Sequence, residues 1–231
     1  TSSQNAHWWM LDAMRGLTVG GDDELVYANS SDASFDSAQV DLRANGFALT
    51  STGHSFNGSG DTYIYMAIRR GPLAQPTSAT DVFAMDLRDD TDAPMYKSGF
   101  VTDMSIYREV SATNDWYIQS RLTGVGHLHT HETASENVNF TSTKWDYMNG
   151  FYDAGSINSA YQAWMWKRAP SYFDAVTYYT NGSNTLVYHN LGVTPELAIV
   201  KRRDSTGNWF VTIPGNGTLF LNETNAKSST L

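Results

Sequence analysis

The chain has 231 residues, a net charge of −9 and a pI near 4.9; that acidity excludes a nucleic-acid reader, which needs a basic stripe to displace counterions from phosphates. It contains no cysteine, which excludes disulfide staples, thiolate zinc sites and cysteine nucleophiles and leaves stability to burial or association. With 41% apolar and 13% aromatic residues it can build real cores, while 17% charged is too little to solvate many helix faces, so β-structure is expected.

The chain opens on "TSSQNAHWW" without Met, as a piece of a longer polypeptide or a processed product would. The following "HWWMLDAMRG" (7–16) has the spacing of an amphipathic helix when taken alone. "GGDDELVY" (20–27) groups carboxylates that suit a solvated turn or a calcium loop. "NGFALTSTGHSFNGSGDTYIYMAIRRGP" (45–72) runs from turn residues into an aromatic strand pattern closed by two arginines and Pro72. "DLRDDTDAP" brings Asp86, Asp89, Asp90 and Asp92 together without the glycine and terminal glutamate of an EF-hand, so a solvated turn is expected there as well. "DWYIQSRLTG" (115–124) alternates as a strand, and "GHLHTHET" (126–133) follows it. "NGFYDAGSINSAYQAWMWKRAP" (149–170) repeats the plan of 45–72, with Tyr63, Arg70 and Pro72 matched by Tyr161, Arg168 and Pro170. No run reaches the roughly 18 apolar residues of a membrane span, and none is expected.

This internal repetition sets the organisation. "GFVTDMSIYREVSATNDWYI" (99–118) aligns with "GVTPELAIVKRRDSTGNWFV" (192–211), pairing Gly99 with Gly192, Asp103 with Glu196, Ile106 with Ile199, Arg108 with Lys201 and Trp116 with Trp209. "GHLHTHET" aligns with "GTLFLNET" (217–224), Asp81 corresponds to Asp174, and Trp8 takes the place of Trp116. Since the aligned "NWFVTIPGNG" carries Pro214 and two glycines, the segment around Trp8 is expected to be a strand and not a helix. The expected fold is all-β: tandem β-sandwich modules of about 100 residues, with no helical crossovers for a parallel sheet. Residues 73–170 form one complete module, 1–72 the second half of a preceding one, and 171–231 the first half of a following one or the completion of 1–72. Half a sandwich exposes an unpaired edge and an open apolar face.

The elements Tyr178, His189, Leu191, Gly192, Pro195, Glu196, Ile199, Lys201, Arg203, Trp209, Leu219, Leu221 and Asn222, followed in the other half-unit by Gly46, Phe47, Tyr63, Tyr65 and Ala67, form a recurring signature. It resembles a module of unknown function that recurs in tail-fibre-like and other structural proteins of phages, many of them marine. The match is loosest over 73–98. The resemblance implies a concanavalin-A-type jelly roll in a virion setting, and it transfers no catalytic residue.

Candidate chemistry is therefore argued from residues. His127, His129 and His131 alternate and share one strand face. In the aligned copy Leu219 and Leu221 match Leu128 and Thr130, which makes the leucine face the core face and sends the histidines outward. Two readings follow: a solvent or interface strand, or, on the axis of a threefold fibre, a transition-metal site, with Glu132 and Glu136 the nearby carboxylates. His189, in a turn motif, is expected to fix backbone through a side-chain hydrogen bond. Trp116 and Trp209 repeat with the core pattern, whereas Trp9, Trp145, Trp164 and Trp166 are candidates for stacking on sugar rings.

The function these features suggest is a phage virion structural protein, a tail fibre or appendage that is not an enzyme. It would self-associate, a trimer being one option, and meet other virion proteins and a host surface glycan at an extracellular location. No cofactor is needed, with a transition metal or Ca2+ as the exception the histidine row or acid turns would introduce. A capsid decoration protein, a secreted glycan-binding module and a glycan depolymerase are the alternatives; the last requires a cleft with two carboxylates, one of raised pKa.

Overall fold

A computed structural model describes residues 7–12, 15, 17, 23–43, 46–52, 57–68, 73–124, 126–138, 143–153, 159–180 and 182–225. Among these there is no α-helix, and every paired strand is antiparallel. Within the segment that could pass for a helix, Trp9–Leu11 form strand β1, which pairs with β2 (Asp23–Tyr27), and β2 with β3 (Phe35–Ser37); Ala13, Met14 and Gly16 lie outside the described residues. A hairpin of β4 (Val40–Arg43) and β5 (Gly46–Leu49) follows.

The centre of the chain builds two sheets that share a core. β6 (Phe83–Leu87), β7 (Tyr96–Lys97), β8 (Met104–Glu109), β9 (Tyr117–Ser120), β10 (Leu128–His129), β11 (Thr143–Lys144), β12 (Gly150–Asp153) and β13 (Tyr161–Trp166) supply it. One sheet has the order β10-β9-β8-β13-β6 and the other β11-β12-β7. Alternation in "YQAWMW" decides which face closes: Tyr161, Ala163 and Met165 are buried while Gln162, Trp164 and Trp166 stay half-exposed. Against them pack Tyr107 from β8, Tyr96 and Phe151 from the smaller sheet, and Trp145. Tyr96 and Phe151 stack at 4.7 Å and Trp145 stacks on Phe151 at 5.1 Å. Each such buried side chain contributes about 1.5–3 kcal/mol. Two facing sheets around one aromatic core make this part, residues 83–166, a β-sandwich.

Past the sandwich, β14 (Ala198–Lys201), β15 (Trp209–Thr212) and β16 (Thr218–Phe220) form a three-stranded meander. Its strands fall where the sequence alignment places β8, β9 and β10, and β4–β5 fall where it places β11–β12. The third aligned element does not form. Residues 62–68, matched to β13, carry no strand pairing, and Ile64, Tyr65, Met66 and Ile68 are 68–84% exposed. The difference lies in the neighbours: β13 is held between β6 and β8, and among the described residues no strand lies beside 62–68.

Candidate metal centre

The register of the β9–β10 pair creates the site. Leu128 lies opposite Ile118 and His129 opposite Tyr117, and the Thr130 N–H donates to the Trp116 carbonyl at 3.1 Å. One step further, His131 faces Asp115 across the pair, and His131 Nε2 lies 3.3 Å from Asp115 Oδ1. The chain then turns, the Glu132 N–H reaching back to the His129 carbonyl at 3.4 Å. That turn folds the Glu132 carboxylate between the imidazoles: Oε2 is 3.4 Å from His129 Nδ1 and Oε1 is 3.4 Å from His131 Nε2. Asp115, His129, His131 and Glu132 each offer a ligand atom, all within 4.8 Å of one another.

The three histidines do stack as a row, His127 on His129 at 5.1 Å and His129 on His131 at 5.6 Å. They do not all point outward. His127 is 5% exposed, the His129 side chain 20% and the His131 side chain 40%. The inner end is covered because residues 132–138 fold back and Asn137 bridges His127, N–H to carbonyl at 3.1 and 3.0 Å. Burial first, and the neighbouring His129 second, push the His127 imidazole down to about 4. His127 therefore lies outside the ligand cluster, and Asp115 and Glu132 join it. Glu132 was visible in the sequence as a nearby carboxylate; Asp115 was not, since only strand register brings it within reach.

The loop that carries Glu132 is also the seat of the β14–β16 sheet. Trp209, 4% exposed, donates its indole N–H to the His129 carbonyl at 2.9 Å. The Gly207 N–H donates to the Thr133 carbonyl at 2.9 Å, as does Lys201 Nζ at 3.1 Å, and the Glu136 N–H donates to the Arg203 carbonyl at 2.8 Å. Arg203 Nη2 pairs with Glu136 Oε1 at 2.9 Å. Burial raises the Glu136 carboxyl above its ordinary value, with the Arg203 guanidinium pulling the other way.

The tryptophans separate. Trp145, 1% exposed, is a core residue whose indole N–H donates to the Gly124 carbonyl at 2.9 Å, so it presents no ring face to a sugar. Trp209 closes the junction just described, whereas Trp116 stands outside the core, stacked on Trp164 at 5.5 Å with Arg108 over its ring at 4.8 Å. Trp166 lies 5.3 Å from Phe83, and Met85 and Leu87 on β6 are 56% and 54% exposed. The outer face of the five-stranded sheet is thus aromatic and open. Trp9 is half-buried among Tyr27 and Phe35, at 5.1 and 6.1 Å.

The acidic stretch is a turn tied by its own neighbours: Asp89 accepts from Thr91 N–H at 2.9 Å and Lys97 Nζ at 3.0 Å, Asp86 accepts from Lys97 N–H at 2.7 Å, and Asp90 pairs with Arg88. Of "GGDDELVY", Gly20 to Asp22 lie outside the described residues. His189 fixes its turn as expected, Nδ1 accepting the Leu191 N–H at 3.3 Å.

No helix among the described residues is long and apolar enough to cross a membrane. No curated protein and no solved structure matches the chain. A family model does match, over residues 1–72 and 89–231, and the chain therefore belongs to the family described as a domain of unknown function, DUF7483.

Proposed function

We propose that the chain is a non-catalytic structural protein of a phage virion, a tail-fibre or appendage piece in which tandem β-sandwich modules assemble with copies of themselves and with other virion proteins. The observation that carries this reading is a difference in exposure at aligned positions. Tyr107 is 1% exposed and its counterpart Val200 39%; Leu128 is 6% exposed and Leu219 37%; Ala163 is fully buried and Tyr65 is 74% exposed. One sequence pattern closes a core at the centre of the chain and lies open on both flanks, which is what modules awaiting a neighbour would show. The resemblance of the sequence signature to a module of phage structural proteins is what suggests the setting.

Attachment in such an assembly works by avidity: weak patches on one rigid body reinforce each other without any reaction. The outer aromatic face around Trp164 and Trp166 is the surface suited to a host glycan, since flat rings cover the C–H faces of sugars.

Two measurements test the reading. Peptides of the chain are expected in the proteome of purified particles of the phage that encodes it, and light scattering is expected to give a trimer or larger. A chain absent from the particle, or monomeric at every concentration reached, overturns it.

A further inference from the structure

We propose that Asp115, His129, His131 and Glu132 bind one divalent transition-metal ion, and that the ion locks the 129–136 loop under the β14–β16 sheet. The first argument is geometric. Metal bonds of about 2.0–2.1 Å to nitrogen and oxygen set the edges of a tetrahedron at about 3.3–3.4 Å. His131 Nε2 lies 3.3 Å from Asp115 Oδ1 and 3.4 Å from Glu132 Oε1, two such edges, while His129 Nδ1 lies 3.4 Å from the other Glu132 oxygen, Oε2. The widest separation, at most 4.8 Å, closes by rotation of the half-exposed His131 and Glu132 side chains.

The second argument is chemical. Two carboxylates bring negative charge that a divalent cation cancels, and imidazole nitrogens as ligands favour zinc-like ions over calcium or magnesium.

The third comes from the chain's own second copy. β15 and β16 pair with Phe210 opposite Phe220, which puts Asn208 opposite Asn222 as Asp115 stands opposite His131. There the network satisfies itself: Asn222 Nδ2 donates to Asn208 Oδ1 at 3.1 Å, and Asn208 Nδ2 donates to Glu223 Oε1 at 2.7 Å. Amide donors meet acceptors one for one. At the corresponding places Asp115, His131 and Glu132 bring two carboxylates and an imidazole within 3.3–3.4 Å contacts, where a proton on the ring can serve one acceptor at a time and a cation would serve them together.

The ion would hold the junction because its ligands and the docking contacts share one loop. His129 offers its ring to the cluster and its carbonyl to Trp209, and Thr133, next to Glu132, accepts from Gly207 and Lys201.

The test is calorimetric titration of Zn2+ into the chelator-stripped chain, with Co2+ absorbance reporting the coordination. One equivalent is expected to bind, and H131A and E132Q to weaken it by more than the roughly 10–100-fold that losing an outer-sphere partner costs. The double variant D115N/H131N, which copies the amide network of the other sheet, is expected to fold and to lose Zn2+; H189A, whose ring serves the Leu191 N–H and is not in the cluster, is expected to bind as the parent does. Hydrogen exchange of the Gly207 and Glu136 amides is expected to slow with Zn2+. The proposal is overturned by absence of binding, in which case the imidazoles hold the carboxylates through protons, by binding that survives the ligand variants, or by binding that leaves both amides unchanged. None of these outcomes depends on the virion reading.

Discussion

Arg121 is 2% exposed, and its guanidinium is spent on the backbone. Nε donates to the Thr102 carbonyl at 2.7 Å, Nη1 to the Trp145 carbonyl and Nη2 to the Tyr147 carbonyl at 3.4 Å, while the Asp103 carboxylate lies 3.8 Å away. A planar fork with fixed donors can serve three separate carbonyls at once, which a lysine's single ammonium could not. Removing one partner of a buried charge pair costs about 3–5 kcal/mol. R121M is expected at the lower end, about 3 kcal/mol, because Asp103 keeps the Arg168 N–H at 2.7 Å and its guanidinium at 3.6 Å. Urea unfolding at constant m-value checks it; a loss under about 1 kcal/mol would mean that water replaces the guanidinium. None of this was legible in the sequence, where Arg121 reads as an ordinary charge in "SRLTG": burial of a charge leaves no periodic trace. The same limit hid Asp115 and the covered position of His127, whereas the turn role of His189 was readable because its partner is two residues away.

At the level of elements, the twin motif Asn-Gly-Phe shows how one pattern carries two constraints. Gly150 opens β12 beside β7, and a methyl group there would overlap the Tyr96 carbonyl oxygen and come within 2.9 Å of Pro94 Cγ. Gly46 opens β5 in the same way, yet a methyl group there meets nothing within 4 Å. The difference is the third strand, since β12 has β7 on its far side and, among the described residues, β5 pairs with β4 alone. G150A is expected to cost about 1–3 kcal/mol, the range for overpacking, and G46A in a dilute sample to stay within about 0.5 kcal/mol. Thermal unfolding of the two variants side by side checks both, and equal effects would contradict the packing described for β7. Strand identity itself was legible: the alternation of "YQAWMW" and the repeat that turns "HWWMLDAMRG" into a strand both hold. What local pattern could not tell was pairing, so 62–68 reads as a strand as clearly as 161–166 and forms none, with no strand beside it among the described residues.

For the whole molecule the decisive balance is between open apolar surface and like charge. Tyr65, Met66 and Ile68 on one flank and Leu186, Tyr188 and Ile199 on the other are exposed, while the net charge of −9 makes copies repel one another. Apolar burial on association gains about 25 cal/mol per Å² and is insensitive to screening, whereas the repulsion fades beyond the Debye length of about 10 Å at 0.1 M salt. Raising salt should therefore strengthen self-association, sulfate more than chloride because it is excluded from apolar surface. Contacts made of ion pairs would respond in the opposite sense. Sedimentation velocity across a salt series separates the two, and Y65E with I199E locates the contact. Both positions are exposed, so unfolding midpoints should stay close to the parent while the assembly shifts to smaller species. An assembly that dissolves in salt, or that ignores both substitutions, would place the contact on a polar surface and leave the open flanks without a role in it.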